Sequence, residues 1–382
     1  MRQISAFENN PRLLYGSGCV AQLGGRLGKL GVQKALIVTD PGIVAAGLVD
    51  RVIAQVTKAG IAHVVFDEIE PNPSLETAEL IARIYHEESC SGMIAVGGGS
   101  PMDAAKGAGI LLTNRGELRD FANGTQIAAS LPPTVAIPTT VGTGSEVTKF
   151  AVLTDHDAAQ KLMLTSERLV PALAILDPEL VYALPAQIVA MTGIDALTHA
   201  IESVLSVFAK PTSDALALEA ISLISRHLLT AVTVNGTSAD GQLARSQLLY
   251  ASTLAGMAFN DALLGLVHGM SHPLTSYYGV PHGLANALLL PLVMRFNAPV
   301  CASALGRVAQ AMGKPSSAEA AIEAVGQLIG QLGLPTTLGA VGVTETFMAY
   351  LVADAFASAN AQIINPRTPT EAEILGLYRQ LL

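Results

Sequence analysis

The sequence has no excess of basic residues. Its 382 residues include 22 Lys and Arg against 31 Asp and Glu, which gives a formal net charge of -9 at pH 7. Proteins that bind nucleic acid through its phosphates concentrate Lys and Arg on one face. The composition provides no such basic surface, so we expect no nucleic-acid partner.

Cysteines and long apolar runs are also scarce. The chain has three widely separated cysteines, Cys19, Cys90 and Cys301. Their odd number and wide spacing are typical of reduced thiols in the cytoplasm. The first ten residues lack the apolar core of a signal peptide. The most apolar late stretch, residues 284–294, is too short to span a bilayer and contains Asn286 and Pro291. We therefore expect a cytoplasmic protein without a membrane partner, in which this stretch is a buried helix.

The pattern of predicted elements changes once along the chain, and there is no internal repeat or low-complexity tract. Up to about Asp177, short apolar strands alternate with helical segments such as residues 74–88, which is typical of βαβ units over a mostly parallel sheet. After Pro185 the strands vanish. Long Ala- and Leu-rich helical segments follow at residues 212–229, 241–260 and 317–332. This predicts an α/β domain over residues 1–180 and an all-α domain over residues 181–382.

The second half contains a candidate metal site. Residues 193–199 continue a helical pattern without proline, and the spacing of Asp195 and His199 places both side chains on one helix face. Later glycine-flanked segments supply His268 and His282, and His272 lies four residues after His268. One carboxylate and three neutral imidazoles suit a first-row divalent ion such as Fe(II) or Zn(II). For any single histidine a core or capping role is the alternative, and we adopt it for the four without comparable partners, His63, His86, His156 and His227.

A glycine turn lies about a hundred residues upstream. The apolar strand at residues 91–96 runs directly into Gly97, Gly98, Gly99, Ser100 and Pro101. Ser100 is expected as the helix N-cap, with Pro101 at the first helical position and Asp103 at the capping-box spacing. Glycines let a ligand approach the backbone, and free N–H groups attract phosphate. The motif indicates a pyrophosphate site or a tight, well-capped turn. It matches neither the Rossmann fingerprint nor a Walker loop.

Two further segments fit a nucleotide site. An apolar strand beginning at residue 34 ends at Asp40, whose carboxylate can accept hydrogen bonds from a ribose diol and would repel the 2′-phosphate of NADP. Asp40 therefore favours NAD, or is a turn residue before Pro41. Residues 135–148 form a short strand followed by a loop rich in hydroxyls and glycine, which either wraps a dinucleotide or turns a corner.

These motifs, in this order, resemble those of the iron-containing (group III) alcohol dehydrogenases over nearly the whole chain. The resemblance implies a dinucleotide-binding α/β domain followed by an all-α, metal-binding domain. The resemblance implies that four residues hold the metal, Asp195, His199, His268 and His282. His272 would lie near the nicotinamide and the substrate as a proton relay. The implied cofactor contacts are Gly98, Gly99 and Ser100 at the pyrophosphate, Asp40 at the adenosine ribose, and Thr139, Thr140, Thr143 and Lys161. The intact ligand set argues against the metal-free maleylacetate reductases, which resemble the same family.

The activity that the resemblance implies is hydride transfer between NAD(H) and a small alcohol or aldehyde, with the metal polarising the substrate oxygen. Phe150 and Phe259 either form an apolar wall for a short aliphatic substrate or are core residues. Lys149 either points into solvent or favours a substrate with an acidic group. Chemistry is expected in the cleft between the two domains. Related enzymes are often homodimers or larger homo-oligomers.

Two other functions are consistent with this architecture. A lyase resembling dehydroquinate synthase uses NAD transiently and binds a metal, but it needs several basic residues for a phosphorylated substrate, and few Lys and Arg lie near these motifs. A non-catalytic NAD-binding protein would be expected to have a broken ligand set, whereas this set is complete. The sequence therefore favours the oxidoreductase.

Overall fold

The computed structural model describes residues 11–122, 125–157 and 160–382, so the first ten residues, in which we found no signal-peptide pattern, lie outside the described part. The described chain divides into two compact units. An α/β unit contains residues 11–140 and 145–181, and a helical unit contains residues 141–144 and 182–382.

The α/β unit is built on a parallel sheet. Its strands are β1 (Arg12–Tyr15), β2 (Lys34–Val38), β3 (Ala62–Phe66), β4 (Gly92–Gly97), β5 (Thr134–Pro138), β6 (Phe150–Asp155), β7 (Gln160–Thr165) and β8 (Leu173–Leu176). Six of them form one sheet in the order β1-β8-β5-β4-β2-β3, and every neighbouring pair is parallel. The remaining two, β6 and β7, form a separate antiparallel hairpin that the sequence pattern did not predict.

Helices cover both faces of this sheet. They are α1 (Leu23–Lys29), α2 (Pro41–Ala45), α3 (Leu48–Lys58), α4 (Leu75–Glu87), α5 (Gly99–Thr113) and α6 (Leu118–Ala122). Alternate residues of a strand point to opposite faces. Ala35 and Ile37 accordingly pack in a core with α1 and α3, whereas Leu36 and Val38 pack in another with α4 and α5. Strands buried on both sides explain the continuous apolar runs in the sequence.

Three neighbouring strands place polar residues at one edge of the sheet. At their carboxyl ends, β2 is followed by Thr39 and Asp40, β4 by Gly98, and β5 by Thr139 and Thr140. Ligands of open parallel sheets bind at the carboxyl ends of the strands. The candidate cofactor residues of this unit therefore occupy the edge where that chemistry is expected.

The second unit is helical. Its helices are α7 (Ala186–Leu205), α8 (Pro211–Thr233), α9 (Ala239–Ala262), α10 (Leu266–Tyr278), α11 (His282–Ala311), α12 (Ala318–Gln331), α13 (Met348–Ala357) and α14 (Glu371–Arg379), with a π-helical turn at Asn360–Ile364. The segments predicted at residues 212–229, 241–260 and 317–332 fall on α8, α9 and α12. Within the described residues no strand follows Leu176. The predicted fold class, α/β followed by all-α, is confirmed.

The helix α7 is the core element of this unit, because α8, α9 and α11 all pack on it. The helices α7 and α8 pack closely, because a Cβ added at Gly193 would lie 2.4 Å from Cδ1 of Leu228 on α8. The entry to α7 is fixed by the buried Arg245 of α9, which donates to the carbonyl oxygens of Tyr182 and Leu184 at 2.7 and 2.6 Å.

Three helices of the described chain, α7, α8 and α11, are long and apolar enough to cross a membrane by length and composition alone. In α7, however, 83% of the most apolar window is buried against the rest of the protein. The stretch at residues 284–294 is indeed helical and largely buried. Its length was underestimated, because the helix α11 continues through Pro291 and Pro299 and changes direction only at Cys301.

Candidate metal centre and cofactor site

The four predicted metal ligands come from three helices of the helical unit. Asp195 and His199 lie one turn apart on α7, His268 lies in the first turn of α10, and His282 is the first residue of α11. The Nε2 atoms of the three histidines lie 3.6, 3.8 and 3.6 Å from Oδ1 of Asp195, in the order of His199, His268 and His282. Three segments that are distant in sequence thus direct imidazole nitrogens at one carboxylate oxygen.

Three of the four candidate ligands have donor atoms spaced as a single divalent ion requires, and His199 lies beside them. Ligand atoms of Asp195, His268 and His282 lie within 4.8 Å of one another, and the ring of His199 stacks on that of His268 with centroids 4.8 Å apart. The side chains of Asp195, His199 and His268 are buried, whereas that of His282 is 32% exposed. Mixed nitrogen and oxygen donors with one accessible side are suited to a catalytic Zn(II) or Fe(II) site.

The electrostatics of the cluster also favour a cation. Burial alone would raise the pKa of Asp195, but the imidazoles of His199, His268 and His282 lower it below its ordinary value. Burial lowers the pKa of His199 to about 4, so its ring is neutral at pH 7 and keeps a free lone pair. Burial also opposes the charged form of His268, but the negative charge of Asp195 and the hydrogen bond to Glu202 outweigh it and raise its pKa to about 9. Two carboxylates around one ring therefore attract positive charge.

Sequence reasoning missed the groups that hold the candidate ligands. Nδ1 of His268 lies 2.6 Å from Oε2 of Glu202, and Nδ1 of His199 lies 3.2 Å from the carbonyl oxygen of Gly142. The fully buried Asn286 donates from Nδ2 to Oδ1 of Asp195 at 2.8 Å, while its own Oδ1 has no hydrogen-bond partner. The signal for Glu202 was its position seven residues after Asp195 and three after His199, which continues the same helix face.

His272 and Phe259 lie beside this cluster. The ring of His272 stacks on that of His282 with centroids 5.4 Å apart and meets that of His268 edge-on at 6.0 Å. Phe259 of α9 is buried, and its ring lies 4.4 Å from that of His199. Phe259 therefore packs against a candidate metal ligand.

The candidate pyrophosphate site lies in the α/β unit, where the glycine turn (residues 97–99) leads from β4 into α5. The helix begins at Gly99 and its N-cap is Gly98, so the prediction that Ser100 is the N-cap, with Pro101 at the first helical position, was wrong. The capping role of Asp103 was wrong as well, because its carboxylate accepts hydrogen bonds from Ser145 and from the amide of Val152. No side chain caps α5. Its first N–H groups remain available to an anion.

The geometry around the glycine turn requires small residues. Gly97 has φ +150°, and a Cβ there would lie 2.7 Å from Pro101 and 3.2 Å from Oδ2 of Asp40. A Cβ at Gly98 would lie 3.2 Å from Cγ2 of Thr140. The turn thus contacts Asp40 on one side and Thr140 on the other. Both were predicted as cofactor contacts.

Three threonines at this edge have buried hydroxyls without a hydrogen-bond partner: Thr39, Thr139 and Thr140. An unsatisfied buried hydroxyl is unfavourable, and most such groups in proteins are paired. Three of them around a glycine turn and an uncapped helix fit a polar ligand with several acceptor atoms, which is the chemistry of a dinucleotide.

The other predicted cofactor and substrate residues lie on different segments. Lys161 of β7 donates to the hydroxyl of Thr154 at 2.9 Å. Thr143 belongs to the helical unit, between Gly142 and Gly144, which lie against α7 and α9. A Cβ at Gly142 would be 2.5 Å from the carbonyl oxygen of Thr192, and one at Gly144 would be 2.6 Å from Cα of Gly256.

Phe150 and Lys149 stand at the start of the β6–β7 hairpin. Phe150 is partly exposed. The ammonium group of Lys149 forms an ion pair with Glu167 at 2.9 Å and lies 5.9 Å above the ring of Phe150. The charge of Lys149 is therefore balanced within this unit.

A buried lysine that the sequence analysis did not identify fixes the same region. Nζ of Lys106 on α5 lies 2.7 to 3.0 Å from the carbonyl oxygens of Ser145, Thr148 and Phe150. Asp103, one turn earlier, binds the hydroxyl of Ser145 at 2.7 Å. This pair ties α5 to the segment that leads into β6.

Most of the chain matches one protein family. Residues 10–178 match the family of iron-containing alcohol dehydrogenases, and residues 189–382 match the C-terminal domain of the same family. The chain belongs to the iron-containing alcohol dehydrogenase family. The family predicted from the motifs is confirmed.

Several members of the family are similar over their full length. The 1,3-propanediol dehydrogenase of Citrobacter freundii is 41% identical, with 96% of each chain covered. The NAD-dependent methanol dehydrogenase of Bacillus methanolicus is 35% identical over 97% of this chain and 98% of that one. A crystal structure of a 1,3-propanediol oxidoreductase has a TM-score of 0.96 and 40% identity, with complete coverage of both chains.

These similarities also confirm the predicted class of activity, an NAD-dependent oxidoreductase of alcohols. They give no better support to a dehydroquinate synthase-like lyase or to a non-catalytic NAD-binding protein.

Proposed function

We propose that this iron-containing alcohol dehydrogenase interconverts small alcohols and aldehydes with a divalent ion held by Asp195, His199, His268 and His282. The observation that carries the proposal is the convergence of three imidazole Nε2 atoms within 3.8 Å of Oδ1 of Asp195. When bound there, a divalent ion supplies Lewis-acid polarisation of the substrate oxygen. Fe(II) is the proposed metal because of the family, and the same donors also suit Zn(II).

The proposed cofactor is NAD. Gly98, Gly99 and Ser100 begin α5 and would donate backbone N–H groups to the pyrophosphate. The orphaned hydroxyls of Thr139 and Thr140 would complete the site, together with Thr143 and Lys161. Asp40 would accept hydrogen bonds from the adenosine ribose and exclude NADP by charge. NAD supplies the hydride acceptor.

His272 is the proposed proton relay. Its ring is half-buried and lies against that of His282, so one side of it remains accessible to water. An imidazole can pass a proton between water and a substrate oxygen.

The proposed substrates are short and uncharged. Phe259 offers an apolar surface beside His199, and the partly exposed Phe150 offers another in the α/β unit. Lys149 is paired with Glu167, which reduces its attraction for an acidic substrate. Relatives named for 1,3-propanediol and methanol are small-alcohol enzymes. We further propose a soluble, cytoplasmic homodimer or larger homo-oligomer, without a nucleic-acid or membrane partner.

The test is NADH oxidation with a panel of short aldehydes, including acetaldehyde, propanal and 3-hydroxypropanal. Chelator-stripped protein is compared with the same sample reloaded anaerobically with Fe(II) or Zn(II). We expect activity only after reloading. An inactive reloaded protein, or full activity in the stripped protein, would contradict the proposal.

Two variants make this test specific to the cluster. Asp195→Ala removes the carboxylate at its centre and should lose both bound metal and activity. Asp240→Ala makes the same chemical change at an exposed position of α9 and should keep both. Equal metal content in the two variants would show that the ion binds elsewhere.

A further inference from the structure

A buried carboxylate lies directly behind one candidate ligand. Glu202 is 3% exposed and has two different partners in the first turn of α10. Its Oε2 lies 2.6 Å from Nδ1 of His268, and its Oε1 accepts the backbone N–H of Val267 at 2.7 Å. One carboxylate thus holds both the ring and the backbone of adjacent residues.

This contact joins two helices at the cluster. Asp195, His199 and Glu202 stand at positions i, i+4 and i+7 of α7, so all three belong to one face of that helix. The first N–H groups of a helix have no acceptor within the helix and carry a partial positive charge, so a carboxylate at the N-terminus of α10 is favourable. Asn365 completes the arrangement by accepting the N–H of Leu266 at 3.2 Å.

The hydrogen bond decides which nitrogen of His268 is a donor. Because a carboxylate accepts, Nδ1 of His268 keeps its proton, and Nε2, which lies 3.8 Å from Oδ1 of Asp195, is the nitrogen that would coordinate an ion. The partner of His199 differs: Nδ1 of His199 faces the neutral carbonyl oxygen of Gly142. The partner of His268 therefore carries a full negative charge, whereas the partner of His199 is neutral.

We propose that Glu202 is a positioning residue that fixes the Nδ1–H tautomer and the orientation of His268 and increases the affinity of the site for a divalent ion. The proposal rests on the proposed metal site. It assigns to the chain a second buried carboxylate that acts on the ion through a ligand. Partners of this kind orient metal-bound histidines and raise their basicity.

The test compares Glu202→Gln with the wild type by titration of stripped protein with Zn(II) in the presence of a chromophoric chelator. We expect the affinity for Zn(II) to fall roughly 10- to 100-fold. Glu345→Gln is the matched control, because it makes the same change at a side chain that is 58% exposed and paired with Arg379. NADH affinity, measured by fluorescence, should be the same in all three proteins.

The outcomes separate this proposal from the proposed function. Wild-type protein that binds no Zn(II) would overturn both. If the wild type binds one Zn(II) per chain and Glu202→Gln binds it with an affinity within twofold of the wild type, only the proposed role of Glu202 is overturned. If the variant does not fold, ¹⁵N NMR of histidines in Zn(II)-loaded wild-type protein decides. A protonated, hydrogen-bonded Nδ1 of His268 supports the proposal, and coordination through Nδ1 overturns it.

Discussion

Oδ1 of Asp40 accepts the backbone N–H of Ile43 at 3.0 Å and caps the N-terminus of α2, while Oδ2 faces the glycine turn close to Gly97. One oxygen of this carboxylate therefore caps a helix, and the other is available to a cofactor. Substitution by Asn removes the charge and keeps the helix cap, because Asn caps helices about as well as Asp.

Asp40→Asn should change cofactor preference without changing stability. We expect roughly a 10- to 100-fold weaker use of NAD, since a hydrogen bond to a charged group contributes about 1.5–3 kcal/mol. Use of NADP should improve, because the repulsion of its 2′-phosphate is gone. The measurement is kcat/KM with each cofactor, and thermal unfolding should change by less than about 0.5 kcal/mol. An unchanged ratio of the two values of kcat/KM would exclude Asp40 from the ribose site.

His272→Asn should slow turnover while the metal stays bound. General acid–base groups contribute about 10²- to 10⁴-fold to rate, and we expect a loss near the lower end. Metal content per chain, measured by elemental analysis, should equal that of the wild type. Loss of the metal would instead make His272 a ligand.

Gly283→Ala should displace the neighbouring ligand His282. A Cβ at Gly283 would lie 2.2 Å from the backbone carbonyl oxygen of Met191 on α7, so α11 must shift away from the helix that carries Asp195. We expect destabilisation of about 1–3 kcal/mol in chemical denaturation, and weaker metal binding. Gly326→Ala on α12 is the control.

A Cβ at Gly326 would meet nothing within 4 Å. That substitution should be neutral or stabilise by up to about 1 kcal/mol, because Ala is the better helix former. Equal metal affinity in the Gly283 and Gly326 variants would contradict the assignment of His282 as a metal ligand.

NAD binding should weaken above pH 8 if Lys161 contacts the cofactor. Burial lowers the pKa of Lys161 to about 8, although Asp103 opposes this change. The ammonium group is therefore charged below pH 8 and becomes neutral as the pH rises through that value. The dissociation constant of NADH, followed by fluorescence at pH 7 and pH 9.5, should increase.

Lys161→Arg serves as the comparison, because a guanidinium keeps its charge throughout this range. Its NADH affinity should be nearly independent of pH between 7 and 9.5. The same pH dependence in both proteins would assign the effect to another group.

Residue spacing was sufficient to predict much of the candidate metal cluster. Asp195 and His199 had to share a helix face once the helix was predicted, and the structure brings them together. The convergence of His268 and His282 followed from resemblance and not from spacing, because nothing local fixes how α10 and α11 pack on α7. Glu202 and Asn286 were missed for the same reason, since their partners lie 66 and 91 residues away.

Local rules failed where tertiary contacts compete with them. Ser100 and Asp103 have the residue types and spacing of a capping box, but Asp103 is held by Ser145 and Val152, and α5 starts at Gly99 without a cap. A standard cap would satisfy the N–H groups that an anion needs. The helix end that lacks the predicted cap is therefore the one where a cofactor would bind.

The unequal exposure of the four candidate ligands bears on how fast an ion is exchanged. Asp195, His199 and His268 are buried among helices, whereas His282 is 32% exposed and follows the short segment between α10 and α11, where Gly279 and Pro281 are exposed. Opening such a segment requires far less free energy than global unfolding. Removal of the ion by a chelator and denaturation of the protein are therefore separate events with separate rates, and a folded apoprotein should persist long enough to be reloaded.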